Sequence, residues 1–197
     1  CYQQLELSGH CNFAATLSKV TDTGIIVTAA WGQEIPLIHD GAILMKISVR
    51  NGRVQFLSEL APVEVEETPF FDRVIHWKAN QSLTGSPLFI RKKLHRRGIA
   101  MHSRTKLSYD LAGRYDRFMA TVALAPEMRE LGNAAIQVIG DEQVLFEKAE
   151  LAGDEVLDID IEVSDFQVLT LVTDFGEGQD VGDRVHWGDA RIVRQAK

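Results

Sequence analysis

A chain of 197 residues has room for one domain or two. Its 45% apolar and 25% charged residues are ordinary for a globular protein, and no run of about 18 apolar residues offers a membrane-spanning helix. The net charge of −7 argues against a nucleic-acid partner held by an overall positive field, and nothing points to direct membrane insertion.

The chain starts at Cys1 in strand-like sequence, with no basic region leading into an apolar core. Such a start fits a mature form or a cut fragment. Cys1 and Cys11 are compatible with one disulfide, with two free thiols, or with a lipid anchor on Cys1. Gly24-Ile25-Ile26-Val27-Thr28-Ala29-Ala30 is β-branched and closes at Trp31-Gly32. Ala42 to Val49 is a second apolar run, followed by Asn51-Gly52 and a return over Arg53 to Leu57. Asn-Gly between strand-like runs is a hairpin signal, because both turn positions favour positive φ. A small antiparallel β domain, sheet or barrel, is expected over residues 1–62.

Residues 63–69 hold Pro69 and three acids and follow Pro62, with no helical period. They read as an extended linker. A second domain is expected over residues 70–197. In it Lys106 to Leu111 alternates and stops before Gly113, and Asp116 to Leu124 places Phe118, Ala120, Val122 and Leu124 on one face. Asn133 to Ile139, Gln143 to Lys148, Phe166 to Thr173 and Ala190 to Val193 continue the strands. Leu157-Asp158-Ile159-Asp160-Ile161-Glu162-Val163 alternates without a fault, so its acids lie on a solvated sheet face. Pro126 to Leu131 is the one helical suggestion, barely two turns. Many strands separated by turns predict an all-β protein, with a β-sandwich or barrel in the second part.

The charge is uneven. Residues Arg73 to Arg97 contain seven bases and no acid, whereas Asp141 to Asp165 contain ten acids and only Lys148. Two solvated faces explain this, and so does a homo-oligomer contact between opposite patches. Nucleotide-binding glycine loops, a serine elbow and His-Glu-Xaa-Xaa-His are all missing. The six histidines share no metal-ligand spacing.

Several motifs occur in a telling order. Gly98-Ile99-Ala100-Met101-His102-Ser103 leads into Tyr109-Asp110-Leu111. Gly113-Arg114-Tyr115-Asp116-Arg117-Phe118 and Val138-Ile139-Gly140-Asp141 follow, and Trp187-Gly188-Asp189-Ala190-Arg191 closes the series after a Leu169-Thr170-Leu171 strand. Over about residues 70–195 this order resembles the NPCBM family, the novel putative carbohydrate-binding module also called carbohydrate-binding module family 51. The resemblance implies a C-terminal jelly-roll β-sandwich. It also implies sugar binding, typically of galactose-containing glycans, at loops on one end of that sandwich. One departure stands out. Where the family has a Gly-Ile/Val-Asp turn, this chain has Ala123-Leu124-Ala125-Pro126-Glu127, so whatever depends on that acid is in doubt. The first 60 residues more weakly resemble the small β domain preceding such modules in some bacterial envelope proteins.

A sugar site needs an aromatic face for C–H packing and forked polar groups for vicinal hydroxyls. Trp77 and Trp187 are candidate platforms, with a place in the sandwich core as the alternative. His102 and Arg104 follow the glycine of the strongest motif and point the same way along a strand; both bond hydroxyls readily. Asn80 and Asp189 complete the candidate set. The alternative makes His102 a core residue and pairs Arg104 with an acid such as Asp189. Asp174, Glu177, Asp180 and Asp183 share a Gly-rich loop whose composition suits a structural calcium ion, though it lacks the EF-hand spacing and equally suits a solvated loop.

These residues predict a non-catalytic module that binds a glycan, in a larger or exported bacterial protein of the extracellular space or cell envelope. A structural or protein-interaction sandwich that has lost sugar binding is the alternative. A hydrolase would require two carboxylates about 5–10 Å apart across a cleft.

Overall fold

The computed structural model describes residues 2–7, 11–21, 24–29, 31–38, 44–50 and 53–194, with side chains at 15, 18, 19, 24–29, 31–36 and 53–194. The chain forms two compact units, residues 1–54 and 55–197. Among the described residues, no helix is long and apolar enough to cross a membrane.

The first unit holds β1 (Tyr2–Leu7), β2 (Cys11–Thr21), β3 (Gly24–Ala29), β4 (Glu34–Ile38) and β5 (Leu44–Arg50). They form an antiparallel sheet in the order β4-β3-β2-β1-β5. Ala15, Val27 and Ala29 are buried in it. The expected Asn51-Gly52 turn and Cys1 lie outside the described residues.

Strand β6 (Val54–Phe56) carries the chain into the second unit. There follow β7 (Glu64–Glu67), β8 (Lys78–Ala79), β9 (Phe89–Ile90), β10 (Lys93–Leu94), β11 (Gly98–His102), β12 (Thr105–Asp110), β13 (Arg117–Leu124), β14 (Asn133–Gly140), β15 (Gln143–Ala152), β16 (Val156–Glu162), β17 (Val168–Phe175) and β18 (Arg184–Val193). One antiparallel sheet runs β16-β13-β18-β11-β8 and the other β15-β14-β17-β12-β7. From β11 onward successive strands switch sheets, except at the β14–β15 hairpin, as a jelly-roll β-sandwich requires.

Strand alternation builds the core. Phe118, Ala120, Val122 and Leu124 of β13 face Leu107 and Tyr109 of β12, Ile136 and Val138 of β14, and Leu169 and Leu171 of β17 in one buried cluster. Ile159 of β16 joins it, while Asp158, Asp160 and Glu162 stay exposed. The acidic face of that strand is therefore solvated, as its period of two requires.

Two expectations change. Residues 63–69 are not a linker, because β7 pairs antiparallel with β12 from Glu64↔Ser108 to Glu67↔Thr105. An edge strand has one neighbour and tolerates outward charges and flanking prolines, so its sequence looks like that of an extended linker. The compact units accordingly divide at 54/55 and not at 62. Pro126 to Leu131 forms only a 3-10 turn over Pro126–Met128. Its carbonyls already serve the turn: Met128 O accepts the N–H groups of Leu131 (3.1 Å) and Gly132 (2.6 Å).

Candidate functional site

The candidate residues fall at two separate places along strand β11. Gly98 pairs with Gly188 at one end, and His102 pairs with Arg184 at the other. Four residues of extended chain separate these ends by about 13 Å. Trp77, His102, Arg104, Asp174 and Asp183 gather at the His102 end. Asn80 and Asp189 belong to the Gly98 end.

At the His102 end, a turn joins β11 to β12. Thr68 N–H donates to Arg104 O (2.9 Å) and Arg104 N–H to Thr68 O (3.2 Å), which ties the segment after β7 to this turn. Arg104 Nε donates to Asp174 Oδ1 (2.7 Å), and the same oxygen accepts the Phe175 N–H (2.7 Å). The Arg104 guanidinium lies 5.4 Å from the Phe175 ring centroid. Phe175 meets Phe70 edge-to-face at 5.4 Å, and Phe70 meets Phe71 likewise at 4.9 Å. Phe71 is 68% exposed and Phe70 42%. Glu67 closes this side: its Oε1 accepts the Trp77 N–H (2.7 Å), and its Oε2 lies 2.6 Å from His76 Nδ1. Trp77 itself is half-buried against the core.

Beneath this surface is a buried polar layer. His102 is buried and its Nδ1–H donates to Ser103 O (2.8 Å). Ser103 Oγ donates to Asp183 Oδ2 (2.8 Å). Asp183 has no exposure and also accepts N–H groups from Asn133 (3.4 Å) and Gly176 (3.5 Å). Burial raises its pKa above the ordinary carboxylate value, outweighing these hydrogen bonds. Gly176 permits the close approach: a Cβ there would fall 1.8 Å from Asn133 O.

The candidate residues thus take different parts. Arg104 is half-exposed and beside aromatic rings. His102 is a core histidine bonded to backbone. Trp187 is no platform: it has no exposure, sits in the sandwich core, and its Nε1–H donates to Thr173 Oγ1 (3.3 Å). Its position on β18 between the two sheets decides this. Asn80 takes φ 61°, a left-handed geometry asparagine tolerates. Its N–H donates to Gly98 O (2.8 Å) and its Oδ1 accepts Gly98 N–H (3.3 Å), so it shapes a turn. Asp189 Oδ2 lies 2.9 Å from His95 Nδ1. Although burial opposes it, the hydrogen bond and charge of His95 hold the Asp189 carboxyl below its ordinary pKa.

Asp174 lies in β17, and Glu177, Asp180 and Asp183 lie in the loop before β18. Among the described residues, no three His, Cys, Asp or Glu side chains converge as metal ligands. Asp183 spends its oxygens on O–H and N–H donors, and Asp174 is paired with Arg104. Sequence reasoning missed the aromatic pair Phe70-Phe71. The available signal was two adjacent phenylalanines directly after Pro69, outside any alternating run.

The fold and its relatives agree. The profile of the NPCBM/NEW2 domain matches residues 53–193. The CBM51 of Clostridium perfringens GH95, solved with methyl-galactose, is 21% identical with a TM-score of 0.63, over 71% of this chain and 99% of that one. CBM51-2 with the INT domains of Clostridium perfringens ZmpB, solved with GlcNAc, is 16% identical with a TM-score of 0.65. That alignment covers 99% of this chain and 41% of the other. The tandem CBM51 modules of a family 98 glycoside hydrolase from Streptococcus pneumoniae are 15% identical with a TM-score of 0.62, over 98% of this chain and 71% of that one. No curated protein matches the chain. With a profile match over most of the chain, in the unit that folds as the β-sandwich, the protein belongs to the NPCBM/NEW2 carbohydrate-binding module family.

Proposed function

We propose that the chain is a non-catalytic module that binds a neutral, galactose-type glycan at the His102 end of its sandwich. The single observation carrying this is the half-exposed Arg104–Asp174 pair held against Phe175, beside the exposed rings of Phe70 and Phe71. A guanidinium fork and a carboxylate supply donors and an acceptor for vicinal hydroxyls. The phenyl rings supply an apolar surface for the C–H face of a pyranose. Of the structurally similar modules, one was solved with methyl-galactose and another with GlcNAc, which supports a hexose as the ligand class. The multi-domain relatives support a place in a larger bacterial protein, which we propose is exported and works outside the cell or in its envelope.

Calorimetric titration with methyl-galactose and GlcNAc tests the proposal. Arg104→Ala is expected to weaken hexose binding by roughly 10–100-fold, the equivalent of a charged hydrogen bond at about 1.5–3 kcal/mol. Its unfolding free energy is expected to shift by less than about 1 kcal/mol, because the pair is half-exposed. Binding unchanged in Arg104→Ala would sink this site. Sugar-independent self-association with no glycan binding would favour a protein-interaction module.

A further inference from the structure

The outer face of the β16-β13-β18-β11-β8 sheet carries a second feature. Leu88 and Ile90 fold over this face and bury against Ala100 and Ala123, with Leu83 and Val156 alongside. Beside this small apolar cluster lies an open pocket of about 530 Å³. It is lined by the β9–β10 hairpin, Thr121 of β13, and Val156 and Asp158 of β16, and His95 contributes to its wall. Its size lies within the roughly 300–1,000 Å³ typical of small-ligand sites.

The lining combines three chemistries. Ile90 and Val156 are apolar. Arg91, Lys92 and Lys93 are cations, set against the carboxylate of Asp158; three against one leaves an excess of two positive charges. Arg91 Nη2 donates to Asp154 O (2.8 Å), which holds its guanidinium near the acidic strands. Among the described residues, neither Lys92 nor Lys93 has an ion-pair partner within salt-bridge distance. Thr121 Oγ1 donates to Asp158 Oδ1 (2.8 Å), and among the described residues no donor takes the other carboxylate oxygen.

His95 supplies the independent sign of a ligand. Its side chain is fully buried, its Nδ1 is 2.9 Å from Asp189 Oδ2, and its Nε2 has no hydrogen-bond partner. With Nδ1 turned to Asp189, Nε2 is the ring atom left for a ligand hydroxyl. Gly188 makes room for this ring, since a Cβ there would fall 2.6 Å from His95 Nδ1.

We propose that this pocket is a second binding site, for a monosaccharide-sized polyol bearing a carboxylate or sulfate: an acidic sugar. A neutral sugar can take hydrogen bonds from these cations but leaves their excess positive charge uncompensated. A bare anion gains nothing from Asp158, whose charge repels it. An acidic sugar uses both sets of groups: the cations hold its anion, while Asp158, Thr121 and His95 bond its hydroxyls. The site shares no residue with the Arg104 surface and stands independently of the galactose reading.

The test is calorimetric titration of the full 197-residue chain with glucuronic acid, glucose 6-sulfate, glucose and sodium sulfate, at low and moderate salt. The two acidic sugars are expected to bind at least about tenfold more tightly than glucose or free sulfate, and to weaken with salt. A Lys92→Ala/Lys93→Ala variant removes two exposed side chains, so its melting midpoint should hold while acidic-sugar binding falls at least about tenfold. Methyl-galactose titrations should be unaffected by that variant and weakened by Arg104→Ala, which separates the two sites. Acidic sugars binding no better than glucose would overturn the proposal. So would sulfate binding as well as the sulfated sugar, or full acidic-sugar binding in the double lysine variant.

Discussion

Trp187→Ala separates a core tryptophan from a sugar platform. Trp187 has no exposure and pairs across the sheet with Ile99 on one side and Val122 on the other. A tryptophan in such a place buries about 150–250 Å². At about 25 cal/mol per Å² that is roughly 4–6 kcal/mol of transfer free energy, part of which alanine retains. Truncation of a buried tryptophan accordingly costs about 3–5 kcal/mol. Thr173 Oγ1 also loses its indole donor. For a unit of this size, each kcal/mol lowers the melting midpoint by roughly 2–4 °C, so a fall of roughly 6–20 °C is expected. Circular dichroism melting measures that fall. Calorimetry well below the lowered midpoint should then find hexose affinity unchanged. Lost sugar binding with an unmoved midpoint would refute the reasoning and return Trp187 to a ligand surface.

Two further predictions concern the sandwich. Gly98→Ala should destabilise it by about 1–3 kcal/mol in urea unfolding, as overpacking does, because a Cβ would fall 2.7 Å from the backbone oxygen of Trp187; unchanged stability would show that β11 and β18 can part without cost. Asp183 tests pH. Its folded pKa is raised by burial, so its stabilising contribution is fully present below the ordinary carboxylate pKa and is lost as pH rises through the raised value. Unfolding of wild type and Asp183→Asn, compared from about pH 4 to about pH 8, should show wild type losing ground to the variant as pH rises. A difference flat with pH would contradict a folded-state Asp183 pKa raised by burial.

Periodicity alone determined much of this protein. The faultless alternation of Leu157 to Val163 assigned Ile159 to the core and Asp158 to the surface, because a strand has only two faces. The order of short motifs from Gly98 to Arg191 identified the sandwich and its family. Local pattern says nothing about which strand becomes an edge, so the acidic segment before Pro69 looked like a linker until its pairing with β12 appeared. Nor does it tell which end of a strand a neighbouring motif meets. His102 and Asp189 lie in adjacent strands and were grouped as one site, yet antiparallel register sends them to opposite ends of β11. Composition leaned toward the core for Trp187 without excluding the surface, and its place between two sheets decided for the core. The charge asymmetry was plain in the sequence, but its meaning was not. Only the tertiary structure brings the basic run at Arg91–Lys93 beside the acids Asp154 and Asp158, because β9, β13 and β16 meet through contacts far apart along the chain.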